Sequence, residues 1–403
     1  MDRLVNAVRP YAWGSTTALP ELLGTEPTGQ PQAELWMGAH PGAPSLVDRG
    51  DGGPVPLNEL IAADPERELG RAAAQAFGPR LPFLLKVLAA ASPLSLQVHP
   101  DLAQAQAGFD DEEGRGIPPA APHRNYKDAN HKPELICALT PFEGLCGFRP
   151  AAETAGLLAA LDVDQLKPYA DILGAARPED AALREVFTAV LTADRTAVAE
   201  TVHLAAEAAR RRAGEGGPWA TACAAYAAIA QEYPGDPGVL AAMLLNHVRL
   251  QPGEALFLDA GVPHAYLRGM GVEIMANSDN VLRCGLTPKH VDVPELLRIV
   301  RFEGGEAGVL RPEAGPEGEE VYTTPVSEFR LSRYVLAPGA EPRALPAGLP
   351  QILLCTDGMI GLAGGPGGRE LTLRRGESAY VPADQRTVRA EGPGTVFRAT
   401  VRL

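Results

Sequence analysis

Gln251 to Lys289, QPGEALFLDAGVPHAYLRGMGVEIMANSDNVLRCGLTPK, is the stretch that decides the fold. Short apolar runs are cut by Gly and Pro where a chain must reverse between strands, the pattern of all-β barrels and sandwiches. The spacing predicts a strand over Ala255–Leu258, a turn at Asp259-Ala260-Gly261, and a second strand resuming after Pro263 with His264. Set into that scaffold are His264, Glu273, Asp279, Arg283 and Lys289. They are the ingredients of a site. A plain hairpin with a satisfied histidine and a solvated charged edge has the same composition, so the decision lies upstream.

Upstream, Leu94, Leu96 and Val98 alternate with Ser95, Gln97 and His99. Period-two geometry predicts the three polar side chains on one face. A solvent-exposed strand looks the same, but the i, i+2 spacing of Gln97 and His99 also lets two ligands from one strand reach one ion. In NHKPELICAL the same rule puts Lys132 and Glu134 on a common face, either as an exposed ion pair or as part of a site. Lys86 interrupts an apolar run at Leu81–Ala90, where a lysine either snorkels from a strand end or faces a polar cavity. Trp13 and Glu34 sit near the ends of short strand-like pieces, as pocket lining or as rim packing. Gln97, His99, Glu134 and His264 together offer two imidazole nitrogens and two oxygens. That set suits zinc, with manganese or iron as alternatives.

The rest of the chain divides by pattern. Pro56 to Phe77 is helical, and Gly108 to Asn130 is polar and rich in Gly and Pro, which predicts a loop over a pocket. From 150 to 250 alanine dominates and apolar residues recur at helical spacing, as in Leu183, Val186, Phe187 and Val190. His203 and His247 belong to such helix-packing stripes. After the Gly/Glu-rich segment from Glu303 to Glu320, strands return at Phe329–Val335, Gln351–Cys355, Met359–Leu362, Glu370–Leu373 and from Thr395 to the end. Gly376 to Ala383 echoes Gly253 to Ala260 without a histidine after it. The expected organisation is a first β domain, residues 1–149 plus 251–310; a helical insertion, residues 150–250; and a second β domain, residues 311–403, lacking the metal site.

Bulk properties narrow the function. A net charge of −14 argues against nucleic acid, which needs a basic face. No apolar run is long enough to span a bilayer. The five cysteines form no CxxC pair and are odd in number, which fits reduced thiols in the cytoplasm. Lysine occurs only at 86, 127, 132, 167 and 289. In a chain whose default cation is arginine, lysine marks places where a compact ammonium matters.

Three blocks, SPLSLQVHPD, NHKPEL and the opening stretch, resemble the type I phosphomannose isomerases, and YAWG and ELWMG extend the likeness toward the N-terminus. The resemblance implies tandem cupin jelly-roll β-barrels and one zinc ion per chain on Gln97, His99, Glu134 and His264. It also implies a cytoplasmic enzyme that interconverts mannose 6-phosphate and fructose 6-phosphate. The family's arginine falls on Arg283, and its pocket residues fall on Trp13, Glu34, Lys86, Ser95, Lys132, Glu273, Asp279 and Lys289. An aldose–ketose isomerase must move a proton between C2 and C1 and steady an enediolate. Glu273 and Lys132 are the expected proton carriers, in either order, with Arg283 as a permanent charge. Lys289, Ser95 and Lys86 are expected at the phosphate. Ala129 and Cys284 depart from the family's usual residues, and Cys284 beside Arg283 predicts sensitivity to thiol reagents. The expected partner is a small sugar phosphate, with the enzyme a monomer that binds neither nucleic acid nor membrane. A metal cupin oxygenase and a non-enzymatic sugar-binding cupin are the competing expectations; low aromatic content and the cation set disfavour the former.

Overall fold

The structure, a computed structural model, describes residues 1–49, 53–365 and 369–403. It is mainly β, with two large antiparallel sheets and a block of helices. The strands that matter for the site are β1 (Asp2–Val5), β2 (Ala7–Arg9), β3 (Glu34–Gly38), β4 (Phe83–Ala90), β5 (Leu96–Val98), β6 (Glu134–Ala138), β7 (Phe142–Phe148), β8 (Leu245–Leu250), β9 (Ala255–Leu258), β10 (His264–Ala276) and β11 (Leu282–Gly285). In the first sheet β9, β6, β10, β4, β3 and β2 lie side by side, while β5 and β7 pair with the other end of β10. The second sheet is built on Arg330–Leu336, Gln351–Gly364, Ser378–Val381 and Gly394–Thr400. β1 joins this second sheet by pairing with Ser378–Val381. The two segments expected at Gln351–Cys355 and Met359–Leu362 are one strand with an irregularity between Cys355 and Asp357.

β4 explains why its sequence does not alternate. Phe83, Leu85, Val87 and Ala89 pack against Tyr322, Phe329, Ile352 and Phe397 of the second sheet. On its other side, Leu88 and Ala90 join Ile136, Phe142, Leu256 and Tyr266 inside the first sheet's curve. A strand covered on both faces needs apolar residues at every position. Lys86 shares the inner side with Leu88 and is buried, so it faces a cavity and does not snorkel.

β10 carries the decisive irregularity. Ala265 and Leu267 point into the helical core, leaving His264 and Tyr266 on the inner side. Farther along, Val272 and Ile274 pack toward the second sheet, leaving Glu273 and Met275 inward. The inward set changes from even to odd because an extra residue enters the pairing with β7 between Tyr266 and Arg268. A bulge of this kind re-aims the side chains that follow it. Gly269 completes the turn with φ +119°, and a Cβ there would lie 2.7 Å from the Pro141 carbonyl oxygen.

The helical block at 151–243 packs against Leu96, Val98, Ala265, Leu282 and Cys284. It covers the outer face of the short strands whose inner face holds the polar residues. His247 falls on β8, beyond the helix Gly238–Met243, so the apolar stripe to which it belongs spans a helix and a strand. Pro56 to Phe77 forms three short helices, Leu57–Ala63, Pro65–Leu69 and Arg71–Phe77.

The segment expected as a loop from Gly108 begins as helix. α1 (Leu102–Gly114) starts at Asp101, whose side chain accepts from the Gln104 N–H while the Gln104 side chain accepts from the Asp101 N–H. Such a reciprocal cap satisfies two otherwise orphaned donors, and it outweighs the glycine at 108. Gly108 is where the Tyr126 ring lies against the helix. The following irregular stretch is held by Glu112, which accepts from the Asn125 and Tyr126 N–H groups, and by Arg124 bonded to the carbonyls of Tyr126 and Ile117. No helix among the described residues is long and apolar enough to cross a membrane.

Candidate metal centre and active cleft

The metal centre is assembled from three strand ends. His99 follows β5, Glu134 opens β6 and His264 opens β10. All three are buried, and one ligand atom from each lies within 4.8 Å of the others. Each ring is oriented by its second nitrogen. His99 Nδ1 donates to the Asn280 carbonyl at 2.8 Å, and His264 Nδ1 donates to the Val262 carbonyl at 2.9 Å. In the neutral tautomers that these bonds select, each Nε2 offers a lone pair, and both Nε2 atoms face Glu134 Oε2, at 3.4 and 3.5 Å.

Two imidazole lone pairs aimed at a carboxylate oxygen repel one another unless a cation lies among them. His99 Nε2 and Glu134 Oε2 are buried without hydrogen-bond partners, which is the arrangement that ligand atoms leave when a metal is their partner. Burial lowers the His99 pKa to about 4, so the ring is neutral and able to ligate. Burial pushes the Glu134 carboxyl up, but Lys132 and the imidazoles outweigh it and hold it well below the usual range. Gln97 Nε2 stands 3.4 Å from His264 Nε2. Half a turn of the amide puts Oε1 in that place, and the two orientations have the same shape. The donor set thus fits a zinc ion.

A cleft of about 550 Å³ opens beside these ligands. Trp13, Glu34, Lys86, Ser95, Gln97, Lys132, Glu134, Glu273, Asp279, Arg283 and Lys289 all line it. Every residue singled out in the sequence is thus in one place, with His99 and His264 buried behind the wall. Strand register does much of this work. Gln97 is paired with His264 on one side and with Arg283 on the other, and Lys86 is paired with Glu273 and with Trp36.

The charges in the cleft are of two kinds. Lys132 Nζ lies 3.0 Å from Glu134 Oε1, and Lys86 Nζ lies 2.9 Å from Glu273 and 3.9 Å from Glu34. Glu34 also accepts from the Trp36 indole at 2.6 Å. These lysines are committed to carboxylates. Burial raises the Glu273 pKa, and Lys86 opposes that rise without cancelling it. Arg283 and Lys289 have no ion-pair partner among the described residues. Burial lowers the Arg283 pKa, while the charge of Arg283, and then burial, lowers that of Lys289.

Several participants were not singled out from the sequence. Tyr266, two residues beyond His264 and so on its face, presents a buried hydroxyl to the cleft with no hydrogen-bond partner among the described residues. Burial, and then the charge of Glu273, raises its pKa well above the usual value, so it stays a neutral donor. His40 stands 3.5 Å from Asp279, which that contact holds below the usual carboxylate range. The i, i+2 rule was the missed signal for Tyr266; nothing in the sequence marked His40. Cys284 contradicts its expected reactivity. It points away from Arg283 into the helical core, fully buried, and burial pushes its thiol pKa up.

The comparisons with known proteins agree with this site. Residues 1–151 match the family model for the catalytic domain of phosphomannose isomerase type I. The mannose-6-phosphate isomerase of Escherichia coli K12 is 42% identical, with all of both chains covered.

The chain belongs to the mannose-6-phosphate isomerase family.

Solved members of the mannose-6-phosphate isomerase family have the same architecture. A K86A mutant of the Salmonella typhimurium phosphomannose isomerase superposes with a TM-score of 0.91 at 40% identity, covering all of both chains. A zinc-bound mannose 6-phosphate isomerase gives a TM-score of 0.90 at 40% identity over 100% of this chain and 99% of its own. That neighbour holds zinc, and in this chain His99, Glu134 and His264 form a group able to hold a metal ion.

Proposed function

We propose that this chain interconverts D-mannose 6-phosphate and D-fructose 6-phosphate, with one zinc ion held by Gln97, His99, Glu134 and His264. The observation that carries the reading is the junction, in one cleft, of a two-imidazole, one-carboxylate centre with a buried Glu273–Lys86 pair and unpaired cations. When bound, the metal supplies positive charge that steadies the oxygens of the substrate's reacting carbons. The rest is done by the chain.

Isomerisation removes the proton from C2 of the open aldose and delivers one to C1, while the C1 carbonyl becomes a hydroxyl and the C2 hydroxyl a carbonyl. We assign the carbon-bound proton to Glu273. Its raised pKa brings a carboxylate base closer to neutral pH. Lys132 is assigned to the proton on oxygen, donating at the edge of the metal centre. Arg283 stabilises enediolate charge that develops between them, since it never gives up its proton. Lys289 and Ser95 meet the phosphate at the outer part of the cleft, and Trp13, Glu34 and Asp279 hold the sugar hydroxyls. Lys86, bound to two carboxylates, fits the role of Glu273's partner better than that of a phosphate ligand.

We infer that the first sheet closes as a cupin-type jelly-roll barrel and that the second repeats it without a metal centre. The expected division at residues 149/150, 250/251 and 310/311 belongs to the same reading. The cysteines support a cytoplasmic location, being all free and buried. A monomer is proposed because one chain supplies the whole cleft.

The test is turnover of mannose 6-phosphate in a coupled assay, with and without complete chelation. Activity lost on chelation and restored by zinc is the expected result. Full activity after complete metal removal overturns the zinc assignment, and no turnover by the zinc-loaded chain overturns the function.

A further inference from the structure

Seven lysines and arginines line the cleft, and three of them are paired with carboxylates. Lys86 and Lys132 are paired with carboxylates, Arg124 is bonded to Glu113 and backbone carbonyls, and Arg9 lies over the Trp36 ring. Arg283, Lys289 and Lys127 have no ion-pair partner among the described residues and line the cleft together. Lys289 lies within electrostatic range of both others, since each depresses its pKa. In a chain of net charge −14, three cations that line one cleft without an ion pair of their own repel one another, a cost that a dianion among them removes.

Lys127 is also placed with care. Its N–H donates to the Asn280 side-chain oxygen at 2.7 Å, and the Asn280 amide nitrogen donates to the carbonyls of Asp128 and Asn130 at 2.6 and 2.9 Å. The backbone carbonyl of this fully buried asparagine is the group that orients His99. One residue therefore sets both the metal ligand and the loop that carries the lysine.

We infer that Lys127 is a phosphate-binding residue that joins Lys289 and Ser95 at the phosphate, next to the charge that Arg283 turns toward the reacting carbons, its backbone fixed relative to the metal centre by Asn280. The inference rests on the proposed sugar-phosphate reading and deepens it by naming a determinant of specificity for phosphorylated over plain sugars. Its sequence signal is the scarcity of lysine, which had marked position 127 without assigning it a role.

The experiment uses the zinc-loaded full chain, the variants Lys127→Met and Lys127→Arg, and Lys167→Met as a control that removes the same charge from the helical block. Inorganic phosphate is the probe, by calorimetry and as a competitive inhibitor. Loss of one charge-assisted contact at an exposed site predicts roughly a fivefold to tenfold weakening of phosphate binding in Lys127→Met. The KM for mannose 6-phosphate should rise by a similar factor, with kcat changed less than about twofold. Lys127→Arg should recover most of the loss, and Lys167→Met should match the parent. Unchanged phosphate affinity in Lys127→Met, or equal weakening in Lys167→Met, overturns the inference. If the parent fails to turn over mannose 6-phosphate, the functional reading falls, while calorimetry with inorganic phosphate still decides the role of Lys127.

Discussion

Glu273 and Lys86 occupy paired positions on adjacent strands, and their side chains meet at 2.9 Å where neither reaches bulk water. Each keeps the other charged in a setting that would otherwise neutralise it. In Lys86→Met the carboxylate loses its main opposing charge, so its pKa, already raised, rises further. A base that works as the carboxylate then needs a higher pH, and the acid limb of the kcat/KM profile should move up by at least about one pH unit. A profile whose acid limb stays in place would remove Glu273 as the base. Leaving one buried partner unpaired should also cost about 3 kcal/mol in denaturant unfolding.

His264→Ala should lose zinc and activity together. The Glu134 oxygen then faces one imidazole, and a three-ligand remnant binds far more weakly. Metal analysis after dialysis is expected to find well under one zinc per chain. A variant that keeps stoichiometric zinc would show that His264 is not a ligand.

Arg283→Ala should keep its metal and its melting temperature within a few degrees. Its guanidinium makes no ion pair among the described residues, so the fold loses little with it. Turnover should fall by about 10²–10³-fold, the usual size of removing one preorganised charge from a transition state. Near-parental kcat would take Arg283 out of the chemistry.

Native chain treated with a thiol reagent should react slowly at all five cysteines, because each is buried and none lines the cleft. Denaturation should release five fast-reacting thiols. Rapid native labelling at Cys284 with loss of activity would contradict its orientation into the helical core.

Gly269→Val places a branched Cβ against the Pro141 carbonyl at a φ that β-branched residues avoid. A loss of about 3 kcal/mol or more in unfolding free energy is expected. A variant of parental stability would mean that β10 can turn elsewhere.

The sequence made the polar strand of Ser95, Gln97 and His99 legible because its other face, Leu96 and Val98, is packed under helices. Period two is readable when one side is apolar and the other is not. β4 was ambiguous for the opposite reason: two apolar environments flank it, and Lys86 alone marked its inner side. The α1 helix was missed because composition was read over a capping pair, Asp101 and Gln104, that had four residues of local evidence behind it. Asn280 had no sequence signal at all. Its four roles, accepting from Lys127, donating to Asp128 and Asn130 and orienting His99, exist only once distant segments meet.

The extra residue in β10 makes the spacing between the metal ligand and the acid a matter of parity. His264 and Glu273 are separated by an odd step, which in a regular strand would send them to opposite faces. Deleting the extra residue between Tyr266 and Gly269 leaves an even step, so a regular strand would again set both on one face; a strand of the present length that lost its bulge would turn either the histidine or the glutamate out of the cleft, although every catalytic side chain would still be present. An odd step with the bulge, or an even step without it, preserves the facing, and the other two combinations do not. Length and bulge are therefore constrained together, a rule that no alignment of the site residues alone would reveal.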